Sequence, residues 1–223
     1  MVVLATKLYV DGDARGRAED SLASLVANRL SELEVSADIG VRDDGFPSVT
    51  LDGPDATAAR NLLAEEFGTI RPQISDGERA VGTLEAWDDD GFVLDIGHGR
   101  ERRLPASELD LGPGSPEQLR TRFGLVQHLP LTFVEGDPPR LAEGQVDRLY
   151  EWTRGDGRVN VNSATRSEVR ATVNRAGHAE DIVTVERLGL LEQSIVCRAD
   201  TDPPGLLASI GQHLPAELLC VVP

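Results

Sequence analysis

Arginine is the side chain in this sequence best placed to do chemistry. Arg100, Arg102 and Arg103 stand together mid-chain, and Arg140, Arg148, Arg154, Arg158, Arg166, Arg170 and Arg175 turn the stretch from 140 to 175 slightly basic, while both ends of the chain are acidic. A guanidinium is planar, always charged, and can grip a phosphate or carboxylate with two parallel hydrogen bonds. Arg166 and Arg170 lie four residues apart, on one face of an expected helix, where they could share an anion. The competing use of such arginines is to pair with neighbouring Asp and Glu on a solvated face.

Other chemistry-bearing residues are sparse. His98, His128, His178 and His213 are scattered and have no partners at metal-ligand spacing. His98 lies in a Gly-His-Gly turn, where exposure is the expectation. Cys197 and Cys220 fall on two expected strands as small apolar residues, and two cysteines make no disulfide framework. Asp88-Asp89-Asp90 reads as a solvated turn. No G-x-S-x-G, H-E-x-x-H or G-x-x-x-x-G-K-[ST] occurs, and Gly97-His98-Gly99 runs on into Arg100-Glu101-Arg102 rather than into a dinucleotide fingerprint. The expectation is a protein without catalytic residues, metal or cofactor.

The charge balance qualifies any reading of the arginines. Against 22 basic residues stand 38 acidic ones, a formal net charge of -16, and Lys7 is the only lysine. Acidic excess, near-absent lysine and 4% aromatics resemble proteins of salt-accumulating archaea, whose carboxylate surfaces keep them soluble. In dilute buffer such a chain repels phosphate backbones. In molar salt the Debye length shrinks to about 3 Å, so ligands must be held by stacking, hydrogen bonds and close arginine contacts. The 40% hydrophobic and 27% charged residues are globular values, which disfavour disorder. No apolar run approaches the roughly 20 residues of a bilayer span. The segment Met1–Lys7 lacks signal-peptide features, and the few cysteines suit a reducing compartment, so a cytoplasmic protein with no membrane association is expected.

Elements that would position these residues follow from periodicity. Thr6–Val10 alternates like a short strand, and Leu22, Leu25, Val26, Leu30 and Leu33 give a helix between Ala14 and Leu33. Two short strands flank Arg42-Asp43-Asp44-Gly45, a hairpin signal. A helix at Ala58–Phe67 and a strand at Thr69–Ile74 complete a split βαβ, or ferredoxin-like, unit over residues 1–75. Strands at Ala80–Trp87, Phe92–Ile96 and Leu129–Val134, with a brief helix at Pro116–Phe123, suggest a small β-barrel over 76–139, ended by Asp137-Pro138-Pro139. Residues 140–157 read as a connecting helix or linker. From 158 to 223 the order strand, helix, strand, strand, helix, strand recurs as a second split βαβ unit, with Ser163 as the helix N-cap and Arg166 three residues on.

The barrel segment carries a resemblance. Gly82-Thr83-Leu84-Glu85-Ala86-Trp87, Gly91-Phe92-Val93-Leu94-Asp95-Ile96-Gly97 and Leu104-Pro105-Ala106-Ser107-Glu108-Leu109 resemble the S1 RNA-binding domain over residues 77–135. That resemblance implies a five-stranded OB-type barrel and RNA as ligand. The usual aromatic before the turn glycine is here Asp90, the second aromatic is Val93, and the histidine before Ser-Glu-Leu is Pro105. Base stacking on such aromatics is worth roughly 1–3 kcal/mol per base, so their loss removes the usual reading face. Trp87 is a replacement platform to consider, and Phe92 is expected in the core. The stretch Asp181–Gly189 with Gln193–Arg198 makes the whole chain resemble an uncharacterised archaeal, haloarchaeal-type family, which brings no catalytic residue with it.

The expected fold is therefore α+β, with a central S1/OB-like β-barrel between two split-βαβ (ferredoxin-like) domains. The expected function is that of a non-enzymatic RNA- or ribonucleoprotein-associated factor, with Arg100, Arg102, Arg103, Trp87, Arg166 and Arg170 as nucleic-acid-binding residues. The alternative is a protein-interaction adaptor of a transcription or translation complex whose barrel has lost its RNA contacts. A small-molecule regulatory module is a third reading, with Asp202-Pro203-Pro204-Gly205 as its faint signal. A helix-hairpin-helix entry at Val159–Thr165 lacks the glycine-rich hairpin that meets phosphate.

Overall fold

The computed structural model describes all 223 residues, Met1–Pro223. It is a mixed α+β structure with three antiparallel sheets, one of them a curled half-barrel.

The first unit contains β1 (Val2–Val3), α1 (Gly12–Arg29), β2 (Ser36–Val41), β3 (Pro47–Asp52) and α2 (Ala56–Phe67), with sheet order β1-β3-β2. Ala18, Leu22 and Val26 recur every fourth residue on α1, forming a stripe that packs with Ala59 and Leu63 of α2 over the sheet. Gly45, at φ 83°, closes the β2–β3 hairpin at its Asp-Gly.

Two expectations are corrected here. The first strand is Val2–Val3, and Thr6–Val10 forms no strand. The alternation at 6–10 has a different origin: Thr6 and Leu8 are buried, while Lys7 and Tyr9 reach into the other two units. The chain there is enclosed on two sides without a ladder. The strand expected at Thr69–Ile74 is reduced to one bridge between Leu4 and Thr69. Ala5 N–H and Ile70 N–H make the last contacts along that edge, and Pro72, which has no N–H to donate, follows.

The middle unit comprises β4 (Arg79–Asp88), β5 (Gly91–Asp95), β6 (Glu101–Pro105), α3 (Pro116–Phe123), β7 (Pro130–Val134), β8 (Arg140–Leu141) and α4 (Glu143–Trp152). Its strands run β6-β5-β4-β7-β8 around a core that includes Leu84, Phe92, Leu94, Leu104, Leu131 and Phe133. Local signals delimit α3: Ser115 and Gln118 form a reciprocal capping box, Pro116 opens the helix, and Gly124 closes it in the left-handed region. The sheet continues beyond Asp137-Pro138-Pro139, because β8 pairs with β7. Val146, Leu149 and Trp152 of α4 pack into the same core, so residues 140–152 belong physically to this unit.

The last unit contains β9 (Arg158–Val161), α5 (Arg166–Arg175), β10 (Ile182–Arg187), β11 (Gln193–Cys197), α6 (Pro203–Gly211) and β12 (Leu218–Val221), in the antiparallel order β10-β11-β9-β12. The N-cap of α5 is Thr165 rather than Ser163. Glu168, three residues after Thr165, returns a hydrogen bond to the cap N–H, which Arg166 cannot do for Ser163.

The units interlock. Leu190 and Leu191, from the β10–β11 turn, complete the core of the first unit. Val221 of β12 sits in the middle core, and Arg120 of α3 pairs with Glu217 at 2.6 Å. No helix is long and apolar enough to cross a membrane.

Candidate nucleic-acid interface

The three arginines of the half-barrel turn to three different partners. Arg100 donates to the carbonyls of Pro72 (2.7 Å) and Arg71 (2.6 Å), clasping the segment that leaves the first unit. Arg102 Nε meets both carboxylate oxygens of Glu135 at 2.9 Å. Arg103 pairs with Asp88 at 2.5 Å and holds that carboxyl below its ordinary range. Trp87 is half-buried, and the guanidinium of Arg120 covers its ring at 3.9 Å. Phe92 is fully buried, and His98 is exposed with the Arg42 guanidinium against both its ring nitrogens.

Arginines gather elsewhere. Arg148 of α4, Arg158 of β9, Arg166 of α5 and Arg187 of β10 line one cleft of about 580 Å³ with Trp152, Val185, Glu151 and Glu186. Four guanidinium groups face two carboxylates there, a reversal of sign in a chain of net charge -16. Trp152 is buried beneath them, with the Arg158 guanidinium 4.9 Å and the Arg148 guanidinium 5.4 Å from its ring. Arg166 Nε donates to Val185 O at 2.6 Å, and Arg158 bonds Glu186 (3.1 Å) and Ser194 (3.0 Å). Arg187 pairs with Glu66 and lies over the Phe67 ring.

Arg148 is the exception. It makes no hydrogen bond or ion pair within the protein, in contrast to the other three. Desolvation lowers its proton affinity and nearby Arg158 lowers it further, against the pull of Glu186 and Glu151. Arg148 is nevertheless exposed at the cleft surface, and a guanidinium stays protonated regardless, so its free donors are open to an incoming anion. Arg170, one turn beyond Arg166 on α5, is exposed and likewise unpaired.

Family models cover the chain nearly end to end. The DUF2110 N-terminal domain matches residues 1–73, the DUF2110 central domain 74–153 and the DUF2110 C-terminal domain 156–222. The chain belongs to the DUF2110 family. No curated protein matches it. The DUF2110 central domain thus supplies Arg148 and Trp152 to the cleft, and the DUF2110 C-terminal domain supplies Arg158, Arg166 and Arg187.

All three DUF2110 domains also meet in a partly buried polar junction. Lys7 bridges Glu85 and Asp95, each at 2.9 Å. His128 stands 3.3 Å from the Glu85 carboxylate and packs its ring against Tyr9, centroids 3.8 Å apart. Tyr9 Oη accepts from Ser163 N–H at 2.9 Å and donates to Glu192 at 2.8 Å.

Sequence reasoning singled out Arg166 of the cleft and placed Arg148 and Arg158 only in a basic run. Arg187 and Trp152 gave no signal, because only tertiary packing brings α4 beside β10. The junction had one visible mark, Lys7, the sole lysine of the chain.

Proposed function

We propose that this DUF2110 chain is a non-enzymatic RNA- or ribonucleoprotein-associated factor that holds phosphate groups in the arginine cleft between its central and C-terminal domains. The observation that carries the reading is Arg148: an arginine without a protein partner, beside three others, in a strongly acidic chain. Backbone recognition needs such local cation clusters, and close arginine contacts survive where long-range attraction is screened. A cytoplasmic, salt-adapted archaeal setting fits the charge composition.

The architecture supports the same reading by analogy. Five antiparallel strands curled around one core, with α3 before the fourth strand, fit an S1/OB-like barrel. The order strand, helix, strand, strand, helix, strand around one antiparallel sheet fits a ferredoxin-like C-terminal domain, and the N-terminal domain a version of it with a vestigial last strand. The barrel's arginines are engaged by protein partners, and Asp90, Val93 and Pro105 stand where S1-type domains stack bases, so the main phosphate contacts move to the cleft.

The test is binding of labelled single-stranded RNA to the whole chain at several KCl concentrations. The double variant Arg148→Gln/Arg166→Gln should lose at least tenfold in affinity, and Arg102→Gln/Arg103→Gln should stay within about twofold. Equal binding by the cleft variant removes the reading. The paired state of the barrel arginines favours one second reading, a protein-interaction adaptor. Ultraviolet crosslinking in native-salt lysate separates the two: nuclease-resistant protein partners without crosslinked RNA would put the adaptor first.

A further inference from the structure

The arginine cleft does not end at its own walls. A second pocket of about 320 Å³ shares Arg148 and Arg187 with it and is lined by residues of all three domains. That volume stands near the lower end of ligand pockets, about 300–1,000 Å³, and suits a small molecule rather than a chain.

The polar groups of this pocket divide into the spent and the open. Its carboxylates are spent: Glu66 pairs with Arg187 and with Arg29 (3.2 Å), and Glu65 with Arg29 (3.2 Å). Arg187 is thereby spent as well. What stays open is a set of donors. Gln145 is only 7% exposed, and the backbone N–H of Thr132 donates to its amide oxygen at 3.2 Å. Its Nε2 group has no protein acceptor, so two N–H bonds are left for an occupant of the pocket. Arg148 stands three residues on along α4, on the same helical face, with its guanidinium free. Thr6, 1% exposed, accepts from Leu190 N–H at 2.8 Å and keeps its own hydroxyl proton to give.

Open donors without open carboxylates select the ligand by charge and by hydrogen-bond type. An ammonium group would enter beside a free guanidinium and find each carboxylate already paired. A carboxylate only accepts, and its two oxygens can take one N–H from Arg148 and one from Gln145. A single free guanidinium matches one negative charge better than the nearly two of a phosphate monoester. The half-buried Val81 and Leu188 and the buried Phe67 add an apolar wall for a short hydrocarbon body.

We infer that the pocket where the three domains meet binds a short-chain aliphatic carboxylate, its oxygens held by Arg148 and Gln145, with the Thr6 hydroxyl as a third donor. This goes beyond the RNA reading and does not rest on it. The two share only Arg148, so the acid and an RNA phosphate compete for one guanidinium.

The experiment is calorimetric titration of the full chain in molar KCl with isovalerate, valine, isovaleramide and inorganic phosphate. Isovalerate should bind at least tenfold more tightly than the other three. Valine adds the ammonium, isovaleramide removes the charge, and phosphate keeps the oxygens without the hydrocarbon. Gln145→Met removes the Nε2 donors and should weaken isovalerate binding about tenfold; Gln145→Glu sets carboxylate against carboxylate and should abolish it. Arg148→Gln, at an exposed position, should weaken it about tenfold and serves should both Gln145 variants unfold. Valine, isovaleramide or phosphate binding as tightly as isovalerate, no binding of any probe, or isovalerate binding unmoved by the folded variants overturns the inference. RNA binding that depends on Arg148 and Arg166, but is not weakened by saturating isovalerate, overturns it too and leaves the RNA reading intact. Selective isovalerate binding by a chain that binds no RNA keeps the pocket and overturns the RNA reading.

Discussion

Tyr9 donates its phenolic hydrogen to Glu192 Oε1 at 2.8 Å, tying an irregular segment of the N-terminal domain to the β10–β11 turn of the C-terminal one. Glu192 is fully buried, and its second oxygen, Oε2, has no partner. Burial raises the Glu192 carboxyl to about 8, against the opposing hydrogen bonds from Tyr9 and the backbone, and burial with Glu192 nearby also raises the Tyr9 phenol. A carboxyl that shares no cation stays neutral most easily in such a site.

The pH dependence follows from that raised value. The unfolded chain releases the Glu192 proton near 4.5, whereas the folded chain keeps it to about 8. The associated stability is complete below 4.5 and is lost as pH rises to 8, by at most about 1.4 kcal/mol per unit. Glu192→Gln stays neutral throughout, so its melting temperature should depend less on pH between 6 and 9 and exceed that of the native chain at pH 9. Parallel melting curves for the two proteins would remove the buried neutral carboxyl from the account.

Lys7 should be hard to replace. Its ammonium, 14% exposed, is the cation between Glu85 and Asp95, and those carboxylates bring its proton affinity up against desolvation. Lys7→Met leaves two half-buried carboxylates facing each other, and removing one partner from a largely buried pair costs about 3–5 kcal/mol. The chemical denaturation midpoint should fall accordingly. Adding Glu85→Gln to Lys7→Met should recover part of the loss, and a purely additive double variant would show that the three groups do not act together.

Glu85 predicts the opposite slope, in acid. His128 beside it is the largest influence holding the carboxyl down to about 2, with Lys7 adding to this and burial opposing. Its stabilising contribution is present above the ordinary 4.5 and disappears as pH falls toward 2. Glu85→Gln should therefore destabilise the protein at pH 6 and matter little at pH 2.5. Tyrosine fluorescence is well placed to follow this, because Tyr9 packs against His128.

How much of this was legible depended on how local the signals were. The helix Pro116–Phe123 could be read to the residue because its opening proline and closing glycine bound one short stretch of sequence. The β2–β3 hairpin was legible for the same reason, in its Asp-Gly. Thr6–Val10 misled because alternation reports two-sided burial, whether the neighbour is a strand or another domain. Arg102 and Arg103 looked like one cluster, yet successive strand residues point to opposite faces, and they pair with Glu135 and Asp88 respectively. The cleft joins residues from 148 to 187 on four elements, and no spacing rule connects them.

The seam between the central and C-terminal domains should be as sensitive as the junction, and two glycines can show why. Gly124 adopts φ 64° after α3, and its carbonyl accepts from Asn160 Nδ2 at 2.8 Å. A Cβ there would lie 2.7 Å from Val221 Cγ2 and 2.8 Å from Asn160 Nδ2, both across the seam. Gly77 has a similar φ of 76°, but a Cβ on it would meet no atom within 4 Å. Both alanine variants carry the backbone strain of the left-handed region, about 1 kcal/mol. Only Gly124→Ala adds overpacking, typically about 1–3 kcal/mol. Denaturant unfolding should place Gly124→Ala about 2–4 kcal/mol below the native chain and Gly77→Ala about 1 kcal/mol below it. Equal losses would mean that the two domains meet loosely enough at Val221 and Asn160 to absorb a methyl group, and a cleft built from both sides of that seam would then lack the rigid walls on which four converging arginines depend.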